Sequence, residues 1–572
     1  METTMKHPRP LQLKKIIRTT LIMNQHNALK LTALSLVLLA SFTASAQTAP
    51  DAGSVLQEQL KPQLEAPRPS PAIEIEAPKQ AETLPGGVQV AVKSIRLNGN
   101  TLFDEAKLLA VLGEVVGASY DLAGLRGLSG QIENFYRANG YPFARAYLPP
   151  QALQDGMLAI EIVEGRYGKV TALGEPKLAS GGQAFLSNLK PGDVINSAKL
   201  ERASLILDDQ PGIKTSPVVR PGQETGTGDL DVLIERDGKF SGDVGIDTYG
   251  NRYTGLTRVK ANLRVDSPFL FGDQILISSL LSDEGMWLGS LGYSLPLGAS
   301  GLRGQIGYAH TYYSLGKNFA SLDATGTAVV SSLGLTYPII RSQQLNLNVS
   351  GSFQHKKLND KQGAAATSAD KSSNSVPVAL SFDVRDDLAG GGITYGSLGW
   401  TSGNLSLDSE LQLRDVDAKT HGRFNKVNVD LARIQFLPAG MTGFGRVSAQ
   451  SANKNLDSSE RFVLGGPTGV RAYPVGEGSG DKGWLAQIEL RYAIGAFNPY
   501  VFYDAGSVKV NAKPWAPGTN QRSISGGGVG VRYQAGSVSL DLALAWRNEG
   551  GKPLADTKDN NPQAWFSASY KF

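Results

Sequence analysis

Cysteine is absent from all 572 residues. That excludes a disulfide framework, a thiol nucleophile and any cysteine-ligated metal. Charge is scarce as well: Asp, Glu, Lys and Arg make up 19% of the chain, the net charge is +4, and no long Lys/Arg block occurs. So weak and scattered a positive balance leaves no footprint for nucleic acid. After residue 46 there is no run of 18 apolar residues, so the mature chain carries no obvious membrane helix. Catalytic motifs are missing too. None of the Gly-Lys pairs beginning at Gly168, Gly238, Gly316 and Gly551 is followed by Ser or Thr, and no H-E-x-x-H is present, so neither a phosphate loop nor a zinc-protease helix is expected. His310, His355 and His421 lie far apart and read as solvated strand or loop residues. Asp383, Asp386 and Asp387 form a small acidic cluster. Its chemistry would suit Ca²⁺, but its surroundings read as a strand end near a lumen or rim. No cofactor, no metal and no enzymatic activity are expected. What is plentiful is glycine, at 66 residues. Large soluble β proteins and outer-membrane barrels share this profile.

The N-terminus separates the two. Leu29 to Ala44 is mostly Leu, Ala, Ser, Val and Thr, preceded by Lys14, Lys15 and Arg18 and closed by Ala44-Ser45-Ala46. A basic segment, a short apolar run and an A-x-A site make a secretory signal peptide over residues 1–46, with Met23 a plausible true start. Export of a cysteine-free chain fits the bacterial cell envelope.

Residues 51–60 have weak helical spacing, and 61–87 are rich in Pro, Glu and Ala, the composition of an extended linker. A helix so short is marginal alone and must dock on something. From Val88 the pattern becomes β-α-α-β-β. Val90 to Leu97 suggests a strand, and Asp104 opens a helix. Leu125, Leu128, Ile132 and Phe135 mark a second helix that Asn139-Gly140 ends. Strands then follow at 143–148 and 158–163. The plan recurs, with a strand at 167–172, helices at 185–189 and 197–207, and strands at 217–220 and 230–235. Domains are therefore expected at 88–165 and 166–238.

From residue 239 to 572 helical periodicity disappears. Arg258, Lys260, Asn262 and Arg264 alternate with Val259, Ala261, Leu263 and Val265, and Val538 to Ala545 and Trp484 to Tyr492 alternate in the same way. Period two with one apolar and one polar face places each strand between two solvents. Charges such as Arg258, Lys260, Arg264, Glu489 and Arg491 recur in mid-strand on one face, as a wet lumen permits. Strands of 9 to 11 residues with turns and longer outer loops give about 16 antiparallel strands over this length, an even number as such barrels require. The last strand presents Phe566, Tyr570 and Phe572 on one face and ends on an aromatic carboxyl-terminal residue. This resembles the signal by which outer-membrane barrels are recognised for insertion.

A family resemblance follows from specific residues. Val92 to Phe103 and Tyr136 to Pro142 look like parts of a POTRA domain. Two such modules ahead of a 16-stranded barrel resemble the outer-membrane transporters of two-partner secretion, the haemolysin secretion/activation proteins of the Omp85 superfamily. Gly469-Val470-Arg471-Ala472-Tyr473-Pro474 resembles the family's VRGY motif, at the tip of a loop folded into the lumen. Phe502-Tyr503-Asp504-Ala505-Gly506 resembles its F-x-D-x-G motif on a following strand. The resemblance implies that Arg471 pairs with Asp504 and holds the loop against the inner wall, with Phe502 and Gly506 beside it. Shielded from water, loss of one partner costs about 3–5 kcal/mol; in a wet lumen it costs about 0–1 kcal/mol. Ala472 stands where the family usually has glycine, at a cost of about 1 kcal/mol if φ there is positive.

The resemblance further implies an exporter without nucleotide hydrolysis. Its partner would be a large exoprotein (an adhesin, haemolysin or contact-dependent toxin) whose N-terminal secretion domain the POTRA modules bind. The helix at 51–60 and the loop carrying Arg471 are the two expected plugs. Outer-membrane lipid and, during biogenesis, the barrel assembly machinery are the other expected partners of a monomer that binds no nucleic acid. The alternative is an Omp85-type factor inserting other barrels, which usually carries more POTRA modules.

Overall fold

In the computed structural model of the chain, the described residues are 49–60, 67, 74–75, 85–151 and 154–572. The leader read at 1–46, and most of the linker read at 61–87, lie outside them. The first element is α1 (Ala52–Leu60). The first module contains β1 (Ser94–Asn98), α2 (Glu105–Leu112), α3 (Leu122–Ala138), β2 (Arg145–Tyr147) and β3 (Met157–Val163). β3 is central, parallel to β1 and antiparallel to β2. Asp121 starts α3 by accepting the Gly124 N–H at 2.8 Å. Its buried stripe is Leu125, Leu128, Ile132 and Tyr136. The stripe therefore turns at Tyr136, one residue beyond the expected Phe135. The expected single strand at 90–97 is broken at Val92, which bonds to Ala118 while Lys93 bonds to Gly156.

The second module repeats the plan with β4 (Arg166–Gly174), α4 (Pro176–Phe185), α5 (Ser197–Asp208), β5 (Ile213–Pro221) and β6 (Thr227–Arg236), β6 being central. Here one expectation fails. The helix lies at Pro176–Phe185, not at 185–189, where the chain turns. Gly181 and Gly182 disfavour a helix by propensity, but they serve close packing. A Cβ at Gly181 would overlap the Phe271 ring, and one at Gly182 the side chain of Ile234. The two-residue strand Glu74–Ile75 adds in parallel to the outer edge of β5, opposite Val218 and Val219.

Polar contacts fix the modules to each other and to the C-terminal barrel. Arg166 donates to Thr101 Oγ1 at 3.0 Å and to the Gly192 carbonyl at 3.0 Å. Arg202 donates to the Pro338 carbonyl at 2.6 Å, and Arg341 forks onto Asp209 at 2.7 and 2.8 Å. At the joint, buried Glu164 accepts from Thr101 Oγ1, the Leu102 and Thr101 N–H groups (2.7 and 2.6 Å) and the Tyr136 hydroxyl (3.1 Å). Burial alone would raise its carboxyl, but these bonds outweigh burial and hold it below the usual carboxylate range. Burial and then the Glu164 charge push the Tyr136 hydroxyl up. A depressed folded pKa contributes stability above the unfolded value of about 4.3, lost as pH falls through the folded value. Hydrogen-exchange protection of Thr101 and Leu102, corrected for intrinsic rate, should therefore hold at about pH 4 and collapse on further acidification. In Glu164→Gln that step should vanish. Constant wild-type protection through that acidification would refute the assignment.

The barrel strands are β7 (Phe240–Asp247), β8 (Arg258–Asp266), β9 (Gln274–Ser282), β10 (Trp287–Pro296), β11 (Arg303–Ser314), β12 (Ala324–Arg341), β13 (Leu345–Gln362) and β14 (Thr367–Asp386). They continue with β15 (Gly392–Leu407), β16 (Gly422–Phe436), β17 (Met441–Ala452), β18 (Lys482–Tyr492), β19 (Phe497–Lys509), β20 (Gln521–Ala535), β21 (Val538–Glu549) and β22 (Gln563–Lys571). All 16 pair antiparallel with their neighbours, and β7 closes on β22 over five residue pairs, Asp243↔Lys571 to Asp247↔Ser567. Phe572 and Gly242 exchange both backbone hydrogen bonds at 3.0 Å, so the final residue takes part in closure. Outward side chains are apolar and exposed, among them Leu291, Leu333, Phe353 and Ile488. That suits lipid. Among the described residues no helix is long and apolar enough to cross a membrane. The barrel segment does hold one short α-helix, Ser409–Arg414, and several 3₁₀ turns such as Lys317–Leu322, against the expectation of none. The α-helix sits in the β15–β16 connection, capped by Asp408, outside any strand.

Candidate functional site

The connection between β17 and β18, residues 453–481, turns back into the lumen. Its arms are joined by a short ladder, Phe462–Val463 with Ser479–Gly480. Its tip carries Arg471, which the structure brings onto Asp504 of β19. Nε and Nη2 fork onto the carboxylate, both at 2.7 Å, and the Arg471 N–H adds a third bond at 3.1 Å. Nη1 donates to Glu489 of β18 at 2.6 Å. The guanidinium also stacks 3.5 Å above the Phe502 ring. Glu489 in turn accepts from Arg491 at 2.7 Å and Arg532 at 3.1 Å, and Arg532 reaches Asp541 at 3.1 Å. Three cations thus face three carboxylates. Arg471 is 4% exposed and Asp504 0%. Burial, rather than free exposure in the lumen, is the regime that governs this pair.

The rest of the tip is locked by shape. Val470 and Tyr473 are fully buried. The Tyr473 hydroxyl donates to the carbonyls of Glu549 (2.6 Å) and Gly551 (3.0 Å), and Trp565 Nε1 donates to the Arg471 carbonyl at 2.7 Å. Gly506 leaves room for Leu464, whose Cδ2 would lie 2.6 Å from a Cβ there. Ala472 is not among the residues with positive φ, so its methyl carries no backbone penalty. It packs instead against the bare face of Gly526: a Cβ at Gly526 would overlap that methyl and come 2.6 Å from the Trp546 carbonyl. Gly526→Ala should therefore loosen the tip by about 1–3 kcal/mol. Adding Ala472→Gly should recover part of this, since the Trp546 contact remains. Thermal melting of the refolded barrel reads both, and the absence of any recovery would place the clash elsewhere.

Sequence reading missed several anchors of the same loop. Glu460 is buried between Lys356 of β13 and Lys426 of β16, at 2.5 and 2.8 Å. Glu477, also buried, takes Arg522 Nε at 2.8 Å and the N–H groups of Leu554 and Ala555 at 2.7 and 2.8 Å. Asp481 takes the N–H groups of Leu456 and Ala512 at 3.1 and 2.8 Å. None of these three carried a signal; outside the two motifs only Glu489, which takes Arg471 Nη1, did, as a charge in mid-strand on the lumen face.

The second lumen element is α1. Ala52, Val55 and Leu56 are buried against Tyr253, Leu280, Met286, Tyr313, Ala328 and Leu358. Its N-terminus is clamped. Lys371 of β14 lies 2.9 Å from both Asp51 and Asp457, and Asp360 accepts the Ala52 N–H at 2.7 Å. Farther along, Arg258 donates to Gln59 at 3.1 Å and Asn251 to Glu58 at 3.1 Å, while Gln57 bonds to the Ser459 carbonyl of the loop. The two lumen elements therefore touch. Of the acidic cluster, Asp386 is taken by Arg433 at 2.8 and 2.9 Å and Asp383 by Arg385 at 2.9 Å. Phe566, Tyr570 and Phe572 lie outside the lumen, exposed on the lipid face.

Comparison with known proteins agrees with this architecture. Residues 226–533, more than half of the chain, match the family described as haemolysin secretion/activation protein ShlB/FhaC/HecB, and residues 90–165 match the ShlB-type POTRA domain. The chain is 30% identical over 560 residues to the heme/hemopexin transporter protein HuxB of Haemophilus influenzae (strain 86-028NP), covering 94% of this chain and 97% of HuxB. It is 24% identical to the outer membrane transporter CdiB of Dickeya dadantii, covering 82% and 85%. Among solved structures, CdiB from Escherichia coli superposes with a TM-score of 0.71 at 19% identity, over 88% of this chain and 94% of that one. CdiB from Acinetobacter baumannii gives 0.64 at 20% identity, over 90% and 96%. The chain belongs to the haemolysin secretion/activation protein family, outer-membrane β-barrel transporters of two-partner secretion whose POTRA domains stand in the periplasm.

Proposed function

We propose that the protein exports one dedicated large exoprotein, received unfolded by its POTRA modules and released through the barrel without nucleotide hydrolysis. The observation that carries this reading is a barrel stoppered from within by nine residues of its own chain, a segment that continues to the periplasmic modules. A stopper seated on reversible polar bonds suits a pore that opens only for its cargo.

Capture by strand addition is the mode the modules favour, since main-chain bonds bind an extended segment of any sequence. The outer edge of β5 already accepts Glu74–Ile75 as an added strand. The equivalent edge in the first module is β2, beside a cavity of about 620 Å³ between α3 and residues 146–151. Gly127 and Gly130 on α3 leave open space around them. We assign Arg471 and Asp504 to holding the loop, and the exposed Phe566, Tyr570 and Phe572 to recognition by the barrel assembly machinery. HuxB, at 30% identity, is named for heme and hemopexin. This favours cargo concerned with haem or haemopexin over a contact-dependent toxin.

The test is quantitative proteomics of culture supernatant and outer membrane, with and without the gene. Loss of one large secreted or surface protein, with other barrels unchanged, is expected. A broad fall in outer-membrane barrels would make the protein an assembly factor instead.

A further inference from the structure

The lumen has two walls of different chemistry. One comprises β17 to β21 and carries the fixed charges Arg446, Glu489, Arg491, Arg532 and Asp541 around a cavity of about 340 Å³ under the loop tip. The other comprises β10 to β15. Strand register places Gly292, Gly307, Ser332, Gln354, Ser375 and Gly403 side by side across it as one rung. A second rung nearer the periplasm runs through Thr336, Ser350, Ala379 and Gly399. These residues face the lumen by parity. Lys356, two residues from Gln354, reaches Glu460 of the loop; Lys371, four from Ser375, reaches Asp51; Ala328, four from Ser332, packs in the α1 cluster. Neither rung holds a charged or large apolar side chain.

The seat of α1 lies beyond the outer end of these two neutral rungs, on Tyr313, Ala328, Leu358 and Lys371 of β11 to β14, where Lys371 is paired with Asp457 of the loop as well as with Asp51, and Lys356 with Glu460 of the loop. The loop tip, by contrast, is anchored on β18 to β22 through Asp504, Glu489, Arg522 and Trp565. Its ion pairs to the neutral wall come from the turn at 457–460. A sliding chain must offer every kind of side chain in succession. Fixed charges would hold its oppositely charged segments, and an apolar wall its apolar ones. Glycines and hydroxyls leave width and offer only weak, exchangeable bonds.

We infer that the exoprotein in transit runs as an extended polypeptide along the neutral wall of β10 to β15, through the space α1 vacates, while the loop tip and the charged wall stay in place. The inference rests on the export reading. Because the chain has no cysteine, each introduced thiol is unique. Single variants Ser332→Cys and Ser350→Cys on the neutral wall, and Ser567→Cys on β22 opposite Asp541, would be made in the full chain and in a chain lacking residues 52–60. Planar-bilayer conductance is then read before and after a cationic methanethiosulfonate reagent. The chain without α1 should conduct. Modification at 332 or 350 should cut that conductance about twofold, with little effect at 567. A pore still closed without α1, or equal block from both walls, would overturn the inference. In cells, Ser350→Trp should cut export of the protein found in the supernatant comparison about tenfold, with the barrel level unchanged and Ser567→Trp without effect. Equal export from both Trp variants would also overturn it. Conduction needs no exoprotein, so failure here is distinct from failure of the export reading, which the supernatant comparison alone decides.

Discussion

Arg471→Ala should release the loop tip from the barrel wall, at a cost of about 3–5 kcal/mol. The reason is where the charge goes. Glu489 retains Arg491 and Arg532 within 3.1 Å, so it stays neutralised. Asp504 does not. With Arg471 gone, its side chain keeps only a 3.5 Å contact from Gln487 and the backbone N–H at position 471, in a site with 0% exposure. A carboxylate so placed must take up a proton, draw in water or push the loop away. The stack on Phe502 is lost as well. Asp504→Asn should cost less, because Arg471 still forks between an amide oxygen and Glu489. Arg471→Lys should fall between, since an ammonium cannot reproduce the planar fork. Melting of the folded barrel in detergent gives the order. A double-mutant cycle between positions 471 and 504 should return a coupling of about 2 kcal/mol or more. Coupling near zero would mean that shape alone holds the tip.

How much of this was legible beforehand depends on which physical signal each part leaves. The barrel was legible because lipid and lumen impose opposite requirements on alternate residues, and Val259, Ala261 and Leu263 against Arg258, Lys260 and Asn262 record both. Arg471 and Asp504 were legible as motifs. Glu489 was visible only as a lumen-face charge, and Arg258 and Arg264 look identical in that respect. Which one a loop will meet depends on where 29 residues of connection fold, and no local pattern records that. Glu460 finds Lys356 and Lys426 across several strands of the barrel, a contact that pairing at long range alone creates. In the second module, Gly181 and Gly182 hid α4: their propensity argues against a helix, yet the approach of Phe271 and Ile234 requires them. Tertiary packing won over local preference there. The helix α1 was legible as a weak periodicity, but its seat was not, because Lys371 is separated from Asp51 by 320 residues.

Lys371→Met should unplug the pore. One ammonium, with its side chain 10% exposed, serves three carboxylates: Asp51 and Asp457 at 2.9 Å and Asp360 at 4.0 Å. Removing it leaves three like charges close together, at about 1–3 kcal/mol, between the buried and the exposed limits because the Asp51 side chain is 35% exposed. Asp360 and Asp457 belong to the barrel wall and the anchored loop. Of the three, Asp51 alone belongs to the α1 segment, so departure of α1 would relieve the repulsion. What opposes departure is the burial of Val55 and Leu56, about 1.5–3 kcal/mol each, together with the bonds to Gln57, Glu58 and Gln59. Nine residues of helix add nothing of their own, being too short to persist in water. The loss is thus comparable to the burial of one of these two side chains, and at about 1.4 kcal/mol per factor of ten it should raise the open population about 5- to 100-fold. Planar-bilayer recordings would show this as open probability, and cells as sensitivity to a large hydrophilic antibiotic. Because the Asp51 side chain is partly exposed, added salt should weaken the effect. Asp51→Asn in the Lys371→Met background should restore closure, since it removes the one repelled charge that α1 carries. A Lys371→Met pore as closed as the wild type would show that apolar seating alone holds the plug, while a pore that opens but is not rescued by Asp51→Asn would place the repulsion between Asp360 and Asp457.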